Sequence, residues 1–289
     1  MDLTELAEEV GTSGPITIAG LATRGGPVDG VRAVMAPSGI DWVKTEEMTV
    51  QCGAGTPVAE LDAALAAHGQ AVAIPPTGTV GGALAVGQSG LRRLGYGPLR
   101  DTLLQARYVD AAGRIVKAGG PTVKNVTGFD LCRLLVGSRG TLGFVGEVLL
   151  RTRPRARFEQ WFVSSADPWD LLARLYRPTS VLWDGQRTWV LLEGHADDVR
   201  SQAEATGLAI GDPPELPTGG RWSLPPSELA NVRGTGRFVA EIGVGIVHHE
   251  LPAPPREVDP AVVELHRRIK HEFDPEGRLN PGVDVLAAV

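Results

Sequence analysis

Ile74-Pro75-Pro76-Thr77-Gly78-Thr79-Val80-Gly81-Gly82-Ala83-Leu84-Ala85-Val86-Gly87-Gln88-Ser89-Gly90-Leu91-Arg92-Arg93-Leu94-Gly95-Tyr96-Gly97-Pro98-Leu99-Arg100-Asp101 is the stretch on which the reading of this chain turns. It holds seven glycines and three prolines. Flexible Gly/Ser linkers are polar, whereas here Val80, Leu84, Val86 and Leu91 interrupt the glycines. A segment both Gly-rich and apolar reads as a loop whose main chain packs closely against something. Without a Cβ, the backbone comes within hydrogen-bonding reach of a ligand. Arg92, Arg93 and Arg100 make that ligand an anion. A bulky residue at Gly81 is expected to remove it by occupying its approach.

A second stretch, Gly119 to Glu147, has the same character. It contains Lys124-Asn125-Val126-Thr127-Gly128-Phe129-Asp130-Leu131 and then Gly137-Ser138-Arg139-Gly140-Thr141-Leu142-Gly143, with a glycine at every third position of the latter. Either stretch alone reads equally well as a tight loop between core strands. Two of them, each with hydroxyl and basic residues beside the glycines, favour a large bound nucleotide.

Further short motifs accompany these two stretches. They are Gly53-Ala54-Gly55-Thr56-Pro57, Thr79-Val80-Gly81-Gly82, Ser89-Gly90 with Arg92-Arg93, Arg100-Asp101, Phe273-Asp274-Pro275 and Leu279-Asn280-Pro281-Gly282. In this order and spacing the chain resembles the FAD-binding domain of the vanillyl-alcohol-oxidase and p-cresol-methylhydroxylase flavoproteins. Within that superfamily it is similar to the FAD-binding subunit of bacterial glycolate oxidase. The resemblance is dense from about residue 15 to 155, sparse through the middle, and returns at 273–282. It implies an α+β fold: a two-part FAD-binding domain of the p-cresol-methylhydroxylase type over 1–155, a short α+β substrate or cap region over 156–255, and a C-terminal helix and tail, 256–289, returning to the FAD domain.

The resemblance also assigns candidate cofactor residues. Gly20, Leu21, Ala22, Thr23, Arg24 and Gly25 occupy the place of the loop that wraps the FAD pyrophosphate, and Leu21 and Ala22 depart from its usual glycine-rich form. Thr79, Val80, Gly81 and Gly82 would supply further N–H donors, with Pro76 and Thr77 near the dinucleotide. Ser89 and Gly90, followed by Arg92 and Asp101, would run beside the flavin. Gly140, Gly143, Phe144 and Val145 would meet the adenosine end through backbone groups, and Asn280 would return to the first domain. No His or Cys stands in the 20–25 loop where relatives attach FAD, so the flavin is expected to be non-covalent.

Composition bounds the rest. The chain has 289 residues, 43% hydrophobic and 21% charged, with a net charge of −6. This is the profile of a globular protein without the basic face of a nucleic-acid binder. No run of 18 apolar residues suggests a membrane span. The acidic N-terminus lacks a signal-peptide n-region, which gives a cytoplasmic expectation, peripheral to the inner face of the membrane through partners. Cys52 and Cys132 have no metal or redox spacing and read as buried thiols.

Along the chain, residues 2–10 read as a helix, and Pro15–Ala19, Val31–Met35 and Thr49–Cys52 as strands. Thr56 reads as a helix cap with Pro57 in the first helical position. Leu103–Val109 and Ile115–Ala118 read as a hairpin, Val126–Val136 as partly helical, and Phe144–Thr152 as a strand. Further on, a helix follows Asp167-Pro168, Val181–Trp183 pairs with Thr188–Leu192, and 211–227 is a loop. Arg237–Val247 is one strand. The last helix carries Val262, Leu265, Ile269 and Phe273 on one stripe.

Oxidation of a 2-hydroxy acid, the chemistry the resemblance implies, needs a base and a cation for the carboxylate. His248 and His249 are the candidates for the base, at most one facing the flavin. Arg237 and Arg221 are candidates for the cation. The short second region fits a subunit completed by a larger flavoprotein and an iron–sulfur protein, since the chain lacks a cysteine set for a cluster. A non-catalytic FAD-binding or assembly subunit is the alternative. A nicotinamide reductase is disfavoured, because no G-x-G-x-x-G follows a strand.

Overall fold

The computed structural model describes residues 1–121, 130–255 and 257–287. Lys124, Asn125, Gly128 and Phe129 of the second glycine-rich stretch lie outside the described residues. Eight α-helices occur among those described: α1 Thr4–Val10, α2 Val58–Ala66, α3 Val80–Val86, α4 Arg93–Tyr96, α5 Leu131–Leu135, α6 Pro168–Arg174, α7 Ala196–Thr206 and α8 Pro260–Phe273. None is long and apolar enough to cross a membrane. The described residues form two units: the first lies within 1–90, 98–155 and 258–286, and the second within 91–97 and 156–257, with residue 287.

The first unit is built on strands β1 Ile16–Ala19, β2 Arg32–Met35, β3 Ile40–Lys44, β4 Thr49–Gly53, β5 Gln70–Ala71, β6 Leu103–Val109, β7 Ile115–Gly119, β8 Phe144–Arg151 and β9 Arg153–Pro154. An antiparallel sheet of order β3-β4-β8-β6-β7 forms its centre, β1 and β2 pair in parallel, and β5 pairs with β9. Val58, Leu61 and Leu65 of α2 and Val80 and Leu84 of α3 are buried with Val148 and Leu150 of β8 in one core. Burial of each such side chain contributes about 1.5–3 kcal/mol. Leu6 and Val10 of α1, Ile16, Phe144 and Leu279 form a separate cluster.

The first glycine-rich stretch is not one continuous loop: it contains helices α3 and α4 and a short 3-10 turn at Leu99–Asp101. Two glycines inside α3 cost roughly 1 kcal/mol each against alanine, and tertiary contacts offset this. Val80 N–H donates to Thr56 O at 2.9 Å and Gly81 N–H to Ala54 O at 2.7 Å, while Thr79 Oγ1 caps Gly82 N–H at 3.1 Å. Thr56 does not cap α2. Its buried hydroxyl bonds Gly39 N–H and Gly39 O, and Pro57 takes the N-cap position.

The second unit holds β10 Phe158–Ser164, β11 Ser180–Trp183, β12 Thr188–Gly194, β13 Ala209–Ile210, β14 Gly220–Ser223, β15 Phe238–Glu241 and β16 Ile246–His249. They form one antiparallel sheet of order β13-β10-β12-β11-β15-β16-β14. Three sequence expectations change here. Arg237–Val247 is a hairpin of β15 and β16, because Gly243 and Gly245 take φ of +79° and +88° and turn the chain. The 211–227 segment contains β14, paired with β16. Helix α7, bounded by acidic Asp197 and Asp198 and by left-handed Gly207, was not foreseen.

The tail of the first unit is held by charge rather than by an apolar stripe. On α8, Ile269 and Phe273 pack on the core, but Val262 and Leu265 stay 40% and 52% exposed. Arg278 is buried and donates to Gly14 O at 2.9 Å, Val10 O at 2.9 Å, Ser13 O at 3.0 Å, Gly11 O at 3.2 Å and Ala111 O. Asp274 accepts from Arg278 N–H at 3.0 Å and Leu279 N–H at 2.7 Å, and pairs with Lys270 Nζ at 2.5 Å. Removing the guanidinium strands several buried carbonyls, each worth about 1–3 kcal/mol when unsatisfied. Arg278→Ala is therefore expected to lower the stability of the first unit by at least ~3 kcal/mol, read as a lower urea midpoint.

Candidate functional site

The loop after β1 and the turn before α3 are clasped together. Arg24 Nη1 donates to Thr77 O at 2.7 Å, and Nη2 donates to Thr77 Oγ1 at 3.1 Å and Pro75 O at 3.5 Å. Burial pushes the Arg24 guanidinium down from its ordinary value. Gly78, at φ +74°, admits the loop: a Cβ there would lie 2.3 Å from Thr23 Oγ1. At Gly20 a Cβ would meet Thr79 Oγ1 at 3.2 Å. Sequence reasoning named Arg24, Thr77 and Gly20 but missed the clasp, since charge on a side chain does not reveal which carbonyls it reaches.

Between these anchors the loop presents bare main chain. Ala22 is left-handed at φ +52°, and Gly25 has φ +100° with nothing within 4 Å of an added Cβ. Leu21 is 57% exposed. The N–H groups of Leu21 and Ala22 and the Thr23 hydroxyl have no hydrogen-bond partner among the described residues. Free donors around an αL residue, a hydroxyl and a cation, with no acidic side chain from 20 to 28, form a cradle for a diphosphate.

The Thr79–Gly82 segment is different. Its donors are already engaged with Thr56 O, Ala54 O and Thr79 Oγ1, as described above. A Cβ on Gly81 would lie 2.9 Å from both Ala54 Cβ and Ala54 O. The expectation that Gly81 leaves room for a ligand is therefore corrected: it leaves room for β4's following residue. Ser89 Oγ accepts from Leu99 N–H at 2.9 Å, and Gly90 lies against Pro75. Asp101 pairs with Arg133 at 3.5 Å. Arg92 is directed at carboxylates of the second unit, Glu193 and Glu159, both at 2.7 Å, and so is committed to protein charges rather than to phosphate.

The second stretch joins the first through α3. Gly137 N–H donates to Leu84 O at 2.9 Å and Arg139 N–H to Ala85 O at 2.8 Å. Asn280 N–H donates to Ile16 O at 2.9 Å. The Asn280 side chain accepts from Ile18 N–H at 3.2 Å and donates to Arg139 O at 2.6 Å. A Cβ on Gly140 would strike the Asn280 amide, and one on Gly143 the Tyr108 ring. The β4 ladder ends at Gly53 opposite Glu147, which leaves Phe144 and Val145 paired with β6 alone. Phe144 is buried in the β1 cluster.

Comparison with known proteins decides the family. A model described as an FAD binding domain matches residues 9–119, and one for the C-terminal domain of FAD linked oxidases matches 230–283. The chain belongs to the FAD-linked oxidases of the p-cresol-methylhydroxylase type. FAD is its cofactor, and the 20–28 cradle fits the pyrophosphate in charge and donor count. Bound FAD supplies a two-electron acceptor. Glycolate oxidase subunit GlcE of Escherichia coli (strain K12) is 31% identical over 224 residues, 71% of this chain and 63% of that one. D-lactate dehydrogenase of Archaeoglobus fulgidus is 40% identical over 120 residues, 40% of this chain and 27% of that one. The chain thus spans less than two thirds of the length of these relatives. A solved structure of alkyldihydroxyacetonephosphate synthase shares the fold, with a TM-score of 0.68 over 97% of this chain and 74% of that one at 14% identity.

In the second unit the candidate bases separate. His249 is fully buried and stacked on Trp222 at 4.0 Å. Its Nδ1 accepts from Leu251 N–H at 2.9 Å, and Nε2 meets Thr235 Oγ1 at 2.9 Å. The Thr235 hydroxyl proton goes to Val232 O at 2.7 Å, so Nε2 carries a proton. Both nitrogens are occupied, and His249 is corrected from a base to a packed structural imidazole. Arg237 is also corrected: it pairs with exposed Glu215 at 2.8 Å on the surface. His248 remains, with Nε2 at 2.9 Å from Oε1 of buried Glu241, a partner that sequence reasoning missed.

Two tests follow. Arg24→Gln is expected to weaken FAD binding about tenfold, ~1.4 kcal/mol, in a fluorescence titration of flavin-stripped protein. Burial holds His249 below its ordinary value, with Glu250 opposing weakly. The unfolded chain then binds the extra proton first, so this contribution is present above about pH 6.5 and lost as pH falls below it. Thermal melts from pH 7.5 to 5 are expected to show a loss that His249→Phe flattens.

Proposed function

We propose that this chain is the flavin-bearing subunit of a complex that oxidises a small 2-hydroxy acid of the glycolate and D-lactate class. The chain would hold FAD non-covalently, and its electrons would pass to partner subunits. The observation carrying the proposal is the pairing of buried Glu241 with His248 in a chain whose other unit carries the FAD cradle. A carboxylate fixes an imidazole in one tautomer and supports the cation formed when it takes a proton. The likeness to a glycolate oxidase subunit and to a D-lactate dehydrogenase supports the substrate class. That GlcE is a subunit of glycolate oxidase supports a multi-subunit assembly.

One observation favours a second reading. Two of the four catalytic candidates, His249 and Arg237, have structural or surface places, which fits a chain that holds FAD and leaves the chemistry to a partner. The two readings differ in stopped-flow anaerobic flavin reduction. Purified yellow protein bleached by glycolate or D-lactate supports catalysis by this chain. His248→Asn is then expected to slow bleaching by roughly 10²–10⁴-fold, the usual worth of a positioned base, without loss of bound FAD. Yellow protein inert until a partner is added supports the second reading.

A further inference from the structure

Among the described residues of the second unit, two half-buried arginines, Arg221 and Arg93, pair with none of its carboxylates. Arg221 on β14 lies directly across the ladder from His248 on β16, and His248 lies across from Val239 on β15. Cross-strand partners share a face, and Glu241, two residues beyond Val239, shares it too. Three adjacent strands thus set a guanidinium, an imidazole and a carboxylate side by side. His248 and Glu241 satisfy each other. The Arg221 side chain is half-buried yet makes no hydrogen bond or ion pair with any described residue. Burial pushes its guanidinium down from the ordinary value, Glu241 pulls it back, and the nearby charge of Arg93 adds to the lowering.

Arg93 belongs to α4, which is fastened to the same unit. Gly95 N–H donates to Thr179 O at 3.2 Å, Arg92 is held by Glu193 and Glu159, and the Tyr96 hydroxyl donates to Glu193. At the start of this short helix Arg92, its N-cap, meets two carboxylates, while the Arg93 side chain makes no hydrogen bond or ion pair with a described residue. Two neighbouring guanidiniums drawn out of water repel one another, and an apolar residue at either place would remove that cost. An anion between them removes it as well.

The geometry points to a binding site for a small monocarboxylate, gripped by Arg221 and Arg93, with the hydroxyl beside the carboxylate turned to His248. A guanidinium fork matches a carboxylate in shape and charge. Two arginines set against the one carboxylate of Glu241 leave a formal excess of one positive charge, which one carboxylate cancels and a dicarboxylate overshoots. The site rests on the 2-hydroxy-acid reading and names the residues that would hold the acid group.

Calorimetric titration of the FAD-loaded full chain with glycolate, under anaerobic conditions, tests it. Arg221→Gln is expected to weaken glycolate at least tenfold, Arg93→Gln several-fold and Arg221→Lys less than Arg221→Gln, with flavin absorbance and far-UV circular dichroism unchanged. Unaltered glycolate affinity in folded Arg221→Gln overturns the site, as does a wild type that binds no glycolate or binds malonate more tightly. If Arg221→Gln does not fold, Arg93→Gln decides alone, and unaltered affinity there overturns the site. Should glycolate bind through these arginines but never bleach the flavin of this chain, the site stands and catalysis by this chain alone falls.

Discussion

Close approach of main chain to main chain is the constraint on which the first unit depends. Gly81 N–H reaches Ala54 O at 2.7 Å only because residue 81 has no Cβ to meet Ala54. At the other end of α3, Gly87 lies where an added Cβ would stand 3.0 Å from Gly137 Cα. Helix α3 is thereby locked between the end of β4 and the turn after α5, and the two glycine-rich stretches become one body. Most of their glycines serve the protein's own packing. The 20–25 loop, clasped by Arg24, is where donors remain for a diphosphate.

This division explains how much of the fold was legible in the sequence. Elements with a strong internal signal were readable: α2 from Val58, Leu61 and Leu65, the β6–β7 hairpin from its Asp-Ala-Ala-Gly turn, and α8 from Asp259 and Pro260. Elements defined by distant partners were not. Thr56 resembles a cap, but its hydroxyl is taken by Gly39. The continuous apolar run around Gly243 hides a turn, because only the positive φ of Gly243 and Gly245 divides β15 from β16. Proline density hid β14, whose pairing is supplied entirely by β16.

The candidate site shows the same limit at the level of single side chains. His248 and His249 are neighbours with opposite fates because a strand alternates faces. One imidazole reaches Glu241 and the other is sealed under Trp222. The adjacent arginines of α4 diverge likewise, one facing Glu193 and Glu159 and the other facing no described carboxylate. Residue type was enough to nominate these positions. Which one carries charge toward a ligand depends on cross-strand register, which is set by turns that no local pattern specifies.

The C-terminal tail adds a last step. Lys270 and residues 274–280 touch α1 and its exit, β1, the 139–141 turn and Ala111 through Lys270, Arg278 and Asn280. Asn280 bonds to both Ile16 and Ile18, and so pins β1 immediately before the loop that would carry the diphosphate. A cradle of free N–H groups is useful only when its approach strand is rigid, since ordering a loose loop on binding would cost about 1–2 kcal/mol per residue. The tail therefore steadies the approach to the loop that would carry the diphosphate, although it contributes no group to it. Its return across the whole sequence is the physical reason that a Leu-Asn-Pro-Gly motif at the end of the chain accompanies an FAD-binding unit at its beginning.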